Sequence, residues 1–390
     1  MSGMHLSKEF FELLKAIGES KSKQEEDRII LREIQTLKKK LETGKGKGAS
    51  KIHLPGGGGG DSGLVTNRKK AKEFLVRLLY VEMLGHDASF GYIKAVELAA
   101  SSSIVHKKTG YMVCGCTLSP EHEFRFMLVN QMQRDLSSSN VLEVGAALIA
   151  ATNLITSDMV PAVQVEVNKL MDHQSDMVRK KAVVTLHRFH QIAPESVTRS
   201  DLSTKLRRML CDRDPGVMGS SLNAIEALAV VDPITFKDLV PSLISILKQV
   251  CEHRLPSDYD YHRVPAPWMQ MKIVRILASL GRNDASASSG MYEILGDCLK
   301  KADVGINAGY AIVYECVRTI TAIYPNPALL DAAADAISRF ISSRSQNLKY
   351  LGLTGLAGIV ESHPEYATQH QMAVIEVRAF ERRVEVARGG

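Results

Sequence analysis

Aromatic residues are scarce in this chain, 6% of its 390 positions, with a single tryptophan at Trp268. A core so poor in rings has to be filled by Leu, Ile, Val, Ala and Met, as in helix-on-helix packing, and apolar residues do reach 45%. The period-two alternation of β-branched and aromatic residues that marks half-buried strands is nearly missing. Cysteine is scattered at positions 114, 116, 211, 251, 298 and 316, and Cys114 and Cys116 have the spacing of no common zinc site. That pattern leaves free, mostly buried thiols in a reducing compartment. No apolar run approaches the ~20 residues of a membrane-spanning helix. The charged N-terminal stretch lacks the apolar core of a signal peptide, and Ser2 stands where myristoylation needs glycine. Any meeting with a membrane is therefore expected from the side, through charge or through partners.

Catalytic constellations are missing as well. Gly44-Lys45-Gly46-Lys47-Gly48 and the run Gly56 to Gly60 look superficially like phosphate loops. A nucleotide loop needs the G-x-x-x-x-G-K-[ST] spacing between a strand and a helix, and neither is present. His187 and His190 lie three apart on a predicted helix without an H-E-x-x-H pattern, which reads as a solvated or partner-facing helix surface. Cys251, Asp258, Asp260 and His262 share the segment 251–265, polar in the way loops ordinarily are. No G-x-S-x-G, paired C-x-x-C or anchored Ser/His/Asp set occurs. The expectation is a protein that is not an enzyme, with no catalytic residue, no metal site and no cofactor.

What the sequence has in quantity is helix. Residues 7–17 and 25–41 carry apolar stripes at helical spacing (Phe10, Leu13, Leu14, Ile17; then Ile29, Ile30, Ile34, Leu37, Leu41). Periodicity stops over 43–66 and resumes with Phe74, Leu75, Leu78 and Leu79, then with Phe90, Ile93, Val96 and Leu98. Further helices are expected near 121–136, 141–154, 160–171, 176–191, 202–210, 216–230, 235–250, 266–280, 288–300, 306–323, 328–342, 346–361 and 365–378. Ser119-Pro120, Asp214-Pro215, Asp232-Pro233 and Asn326-Pro327 each place a capping side chain before a proline at the first helical position. Helices of this length with one apolar face each cannot bury that face alone, and short connections make neighbours antiparallel. The fold class is all-α: an armadillo/HEAT-like α-solenoid of stacked antiparallel helix pairs, with degenerate repeats. The expected organisation is N-terminal amphipathic helices at 1–42, a flexible Gly/Lys-rich linker at 43–67, the solenoid trunk at 68–378 and a tail at 379–390.

The net charge of +6 is unevenly placed. Between Lys38 and Lys72 stand ten basic residues (Lys38, Lys39, Lys40, Lys45, Lys47, Lys51, Arg68, Lys69, Lys70, Lys72) against Glu42 and Asp61, so the rest of the chain is slightly acidic. A local patch of this kind suits an anionic surface. Phe, Tyr and Trp are absent from it, whereas RNA-binding stretches interleave rings for stacking, so no nucleic acid is expected as partner. A lipid headgroup surface needs clustered charge alone. An idle lysine-rich linker is the competing reading.

The run Lys72-Glu73-Phe74-Leu75-Val76-Arg77-Leu78-Leu79-Tyr80-Val81-Glu82-Met83-Leu84-Gly85-His86-Asp87-Ala88-Ser89-Phe90-Gly91-Tyr92 resembles the opening of the trunk in the large subunits of adaptor protein complexes. So do Lys107 to Tyr111, Arg134-Asp135-Leu136 with Asn140, Val178 to Ala182, and Cys211 to Met218 with its D-x-D-x-G-V core. Within the family the likeness is strongest to epsilon-type subunits of the fourth complex, on Leu186 to His190, on Leu255 to Trp268 and on Asn347 to Gly352. The resemblance implies a cytosolic α-solenoid that assembles with beta-type large, medium and small subunits. It implies recruitment by an Arf-type small GTPase to Golgi and trans-Golgi network membranes, and cargo selection for vesicles. It also makes Arg68, Lys69 and Lys70 candidate phosphoinositide contacts, with Lys38, Lys39, Lys40 and Lys72 beside them, and Ile93 and Val96 candidate GTPase contacts. Inter-helix core is the other reading of Ile93 and Val96. Three features depart from the family pattern: the longer glycine-rich linker, the ending Ala379 to Gly390, and a trunk that stops short with no hinge or appendage. The chain is accordingly expected to be a fragment, a shortened isoform or an incomplete gene model. A generic HEAT-type scaffold or transport receptor for soluble cargo is the alternative, and a helical-repeat enzyme a more distant one.

Overall fold

The computed structural model describes residues 7–45, 62–369 and 375. These residues form two compact units, one ending at Leu202 and the other beginning at Ser203, so that the boundary falls inside one helix.

The first unit opens with α1 (Lys8–Gly18), α2 (Lys23–Lys45) and α3 (Ser62–Met83). It continues with α4 (Tyr92–Ala99), α5 (Ile104–Thr117), α6 (Phe124–Leu136), α7 (Val141–Leu154), α8 (Val160–Leu170) and α9 (Asp176–Ile192). Helices α3, α5, α7 and α9 pack side by side in one layer and α4, α6 and α8 in the other, each pair closing on the next. The boundary lies in α10 (Arg199–Leu210).

The second unit repeats the scheme. One layer holds α11 (Pro215–Val231) and, after α12 (Val240–Cys251), α13 (Pro267–Gly281). Past the single-turn α14 (Ala285–Ser289) and α15 (Tyr292–Lys301), it gains α16 (Asn307–Ala322). After α17 (Pro327–Ile341) comes α18 (Gln346–Ser362), and α19 (Tyr366–Gln369) follows. Helices α12, α15 and α17 form the facing layer. This is the armadillo/HEAT-type stacking of helix pairs that the periodicity indicates, with a core of aliphatic side chains such as Leu148, Leu186, Ile225, Leu277 and Ile320.

Side-chain capping marks several helix starts. Asp214 Oδ1 accepts from Val217 N at 3.0 Å, and Asn326 Oδ1 from Leu329 N at 3.0 Å, each with proline next in the helix. Ser119-Pro120 behaves differently: it lies in a turn, and α6 starts later, at Phe124. Asp232 caps a 3-10 segment, Ile234–Leu239, through Thr235 before α12 begins. Helical backbone also enters both ends of segment 43–67, as far as Lys45 and again from Ser62, while 46–61 lie outside the described residues. The same holds for 370–374 and 376–390, which contain most of the helix expected at 365–378 and the whole tail.

Helix α5 is an addition to the expected set. Its sequence holds two glycines and two cysteines and looks like a broken stretch. In the structure a Cβ on Gly110 would stand 2.3 Å from Ala99 N and 2.7 Å from Ala95 O, so α4 and α5 touch backbone to backbone. The glycine that reads as a breaker is what permits the contact.

The same helix shows why Lys107 to Tyr111 and Arg134-Asp135-Leu136 belong together. The buried Lys107 ammonium pairs with Asp135, whose carboxylate also accepts from Tyr111 at 2.6 Å and from Gln131 at 2.8 Å. Burial, and then the bond to Asp135, push the Tyr111 hydroxyl well above its ordinary value. Nearby, the buried Arg125 guanidinium donates to the carbonyls of Leu118 (2.5 Å) and Leu154 (2.9 Å), joining the C-terminal ends of α5 and α7. Burial lowers its affinity for the proton, and the charge of Glu121 works the other way without overcoming it.

Candidate functional site

The basic runs are positioned by one arginine. Arg77, on α3, grips Glu33 of α2 with two parallel bonds, Nε to Oε1 at 2.6 Å and Nη2 to Oε2 at 2.7 Å. Its Nη1 reaches Glu9 of α1 at 3.1 Å and Glu73 at 3.3 Å, and Ser7 closes the ring by donating to Glu73 at 2.5 Å. Arg77 and Glu33 are both buried, 3% and 6% exposed, and a paired guanidinium of this geometry is the strong form of the contact. Burial alone would lower the arginine's proton affinity. The bonds to Glu33, Glu9 and Glu73 outweigh it and raise it. Glu9 is held below the usual carboxylate range first by Lys40, at 2.8 Å, and then by Arg77. A depressed carboxyl stabilises above its unfolded value and loses that contribution as pH falls through the folded one, so this clamp is fully formed at neutral pH.

The clamp sets a register. Glu33 faces Arg77 and Asp27 faces His86 (3.2 Å), so α2 and α3 run antiparallel. Lys38 to Lys40 lie five to seven residues beyond Glu33, and Lys70 to Lys72 lie five to seven before Arg77. At ~1.5 Å per residue both runs sit roughly 7–11 Å from the clamp in the same direction. The two basic runs, far apart in sequence, thus come to the same level of one helix pair. Lys38, Lys39, Lys40 and Lys70 are exposed and Lys72 is half-buried. Lys38 lies over the Phe90 ring at 5.1 Å, so part of its charge is already engaged by the α3–α4 connection. Arg68 and Lys69 belong to the helical backbone of α3, and their side chains lie outside the described residues.

Ile93 and Val96 stand one turn apart on α4. Both are half-buried, while Tyr92, Ala95 and Ala99 of the same helix face the core. Beside them Lys94 pairs with Glu97 at 2.6 Å.

Sequence reading passed over a third surface. Val105 and Met112 on α5, Leu142 and Ile149 on α7, and Val184 on α9 are all exposed, about half or a little less of each open to solvent. The close approaches of Gly115 to Asn153 and of Gly145 to Lys181 fix the register of the three helices. They bring Met112, Ile149 and Val184 into one row. Lys108, Lys180 and Lys181 border it, and Lys181 has its proton affinity lowered by burial and then by its two lysine neighbours. Exposed apolar side chains grouped on three packed helices are a candidate interaction surface. The signal was available in the seven-residue spacing of 105/112 and 142/149, but reading it required α5 to be seen as a helix.

The polar candidates resolve into structure. His190 Nδ1 meets the Val197 carbonyl at 2.7 Å, and half-buried His187 has its proton affinity lowered by burial and then by His190, so this pair is partly internal rather than a solvated face. The segment 251–265 runs from the end of α12 through a 3-10 turn into a tight hairpin of β1 (Asp260–Tyr261) and β2 (Val264–Pro265). Cys251 turns inward to Cys298, with 3.2 Å between the sulfurs, which raises Cys251 through that bond and through burial. The buried Cys114 is pushed up to about 12 by burial. Among the described residues no cluster of His, Cys, Asp or Glu is arranged to hold a metal ion, and no helix is long and apolar enough to cross a membrane.

Comparison with known proteins points one way. The family described as the adaptin N terminal region matches residues 60–388, which takes in most of the ending that the motifs left outside. The chain is 47% identical over 374 residues to the AP-4 complex subunit epsilon of Arabidopsis thaliana, covering 96% of this chain and 38% of that protein. To the AP-4 complex subunit epsilon-1 of Homo sapiens it is 40% identical over 364 residues, 93% of this chain and 30% of the other. To the AP-1 complex subunit gamma of Dictyostelium discoideum identity is 30% over 305 residues, 77% of this chain and 34% of that protein. The chain spans about a third of the length of these relatives, from 30% to 38%. Among solved structures, a chain in a homology model of the full-length AP-3 complex in an intermediate open conformation superposes with a TM-score of 0.59 at 19% identity. That match covers 79% of this chain and 51% of the other. Kap121p bound to Nup53p gives 0.52 at 10% identity, covering 97% and 39%. At these identities the likeness is one of fold.

Proposed function

The chain belongs to the adaptin N-terminal region family, and on that premise we propose that it is the trunk part of a non-catalytic large subunit of a heterotetrameric vesicle-coat adaptor complex. The identity to AP-4 epsilon subunits over nearly the whole chain is the observation that carries this reading. It supports a role in protein transport from the trans-Golgi network toward endosomes, with the protein peripheral on Golgi membranes and coated vesicles. The proposed partners are beta-type large, medium and small adaptor subunits and an Arf-type GTPase. The row Met112, Ile149 and Val184 offers a subunit an apolar seat, and Ile93 and Val96, half-open on α4, are assigned to the GTPase. The test is affinity purification of the chain from its own cells with mass-spectrometric readout. Medium and small adaptor subunits should be recovered, and I93D/V96D should lose the GTPase while keeping them. A folded chain that recovers neither subunit favours the generic HEAT-type scaffold.

The basic patch is assigned to an anionic, phosphoinositide-bearing membrane, because the α2–α3 register gathers Lys38 to Lys40 with Lys70 and Lys72 at one level. Replacing Arg68, Lys69, Lys70 and Lys72 by Gln should weaken binding to anionic liposomes by roughly 1 kcal/mol per residue removed from the surface. The wild-type affinity should itself fall steeply with salt. Co-sedimentation that does not change in the quadruple variant would assign the segment to an idle linker.

A further inference from the structure

The hairpin in the second unit is built under strain. His262 and Arg263, its two central residues, have φ of 49° and 69°, the type I′ condition that Asn-Gly ordinarily fulfils. His253 (55°) and Ala266 (35°) bracket the same segment. Non-glycine residues in the left-handed region persist where the surroundings over-determine them, and such strain gathers at ligand clamps. The surroundings here are explicit: Ala266 N donates to Tyr259 O at 3.1 Å, Gln270 Nε2 to Pro265 O at 2.6 Å, and Tyr259 OH to Asp214 at 3.2 Å.

What the strain achieves is to hold an aromatic pair at the surface next to a basic cleft. Trp268 is 59% exposed and Tyr261 45%, their rings edge to face at 5.4 Å. Tyr261 faces Val264 in the hairpin register, and Val264 lines a cleft of about 320 Å³. His253, Arg263 and Lys301 border that cleft, with Pro265 and Val304 as apolar walls, and no carboxylate lines it. Two acids nearby are turned to cations away from the cleft, Glu252 to Arg254 at 2.6 Å and Asp303 to Arg339 at 2.8 Å, while Asp260 pairs with the cleft's own His253 at 3.6 Å. Among the described residues no carboxylate is ion-paired with Arg263 or Lys301.

We propose that this cleft binds an extended acidic peptide segment of a partner protein, its carboxylates on Arg263 and Lys301 and one apolar side chain against Trp268 and Tyr261. Charge complementarity selects the acidic class, and the adjoining exposed rings favour a peptide over a bare anion. The proposal uses neither the basic patch on α2 and α3 nor the row on α5, α7 and α9, so it stands apart from the coat reading.

Trp268 is the only tryptophan in the chain, so its emission reports contact with the ring pair beside the cleft. The full chain is titrated with a labelled synthetic peptide of Glu and Asp around one Phe, following peptide anisotropy and Trp emission together. The expected result is saturable binding with a shift of emission to shorter wavelength. R263E/K301E should weaken binding at least about tenfold with the circular dichroism of the chain unchanged. A peptide with Gln and Asn in place of the acids should bind at least about tenfold more weakly to the wild type, a comparison that needs no variant to fold. Binding without an emission change, equal binding of the neutral peptide, or full binding by a folded R263E/K301E overturns the proposal. So does a response to phosphatidylserine vesicles without one to the peptide, which would give the cleft to a membrane surface.

Discussion

Lys107→Met should destabilise the chain by about 3–5 kcal/mol, the scale set by stripping one partner from a buried ion pair. Asp135 is 5% exposed and has Lys107 as its cation, with Tyr111 and Gln131 as neutral donors. Removing the ammonium leaves a carboxylate inside the α5–α6–α7 packing with only those two bonds. Asp135→Asn should cost less, because Lys107 keeps Glu143 at 3.8 Å and the amide oxygen still accepts from Tyr111. Urea unfolding of both variants beside the wild type measures these costs. A loss below about 1 kcal/mol, the scale of surface pairs, would show that the pair contributes little.

That pair also shows what was legible in the sequence. Amphipathic spacing and Asx-Pro starts gave the stacked-helix class because both are local: the apolar face and the cap are read within one helix. Asp214 and Asn326 cap as their position implies. What escaped depends on contact between helices. Gly110 looks like a breaker until Ala95 and Ala99 are seen against it, so α5 was passed over, and the exposed row Met112, Ile149 and Val184 went with it. The hairpin at 260–265 escaped for the opposite reason. His262-Arg263 is a turn that propensity argues against and that only tertiary hydrogen bonds sustain. The basic runs were visible as composition, but their common level on α2 and α3 was not. It depends on Glu33 meeting Arg77 across forty-four positions.

Arg77→Leu tests that dependence. Glu33 is 6% exposed and would lose its bidentate partner, and Glu9 and Glu73 would lose their shared donor, again a cost of about 3–5 kcal/mol. The loss falls on one interface. α1 and α2 are otherwise held to α3 by Phe10 against Tyr80, by buried Ile30 and Leu37, and by the His86–Asp27 contact. The expected result is undocking of the α1–α2 hairpin rather than collapse of the unit. Amide exchange in 8–45 should accelerate by roughly a hundredfold or more, at ~1.4 kcal/mol per factor of ten, while α7 and α9 keep their protection. Liposome binding should fall as well, although no lysine of the patch has been changed, because Lys38 to Lys40 would leave the level of Lys70 and Lys72. Glu33→Leu combined with Arg77→Leu separates docking from charge. An apolar pair of similar volume can replace a buried ion pair at little cost, so the double variant should dock again and recover binding. Undocking that leaves liposome binding untouched would mean that the two basic runs act separately. Unchanged exchange in R77L would mean that apolar packing alone holds the hairpin in place.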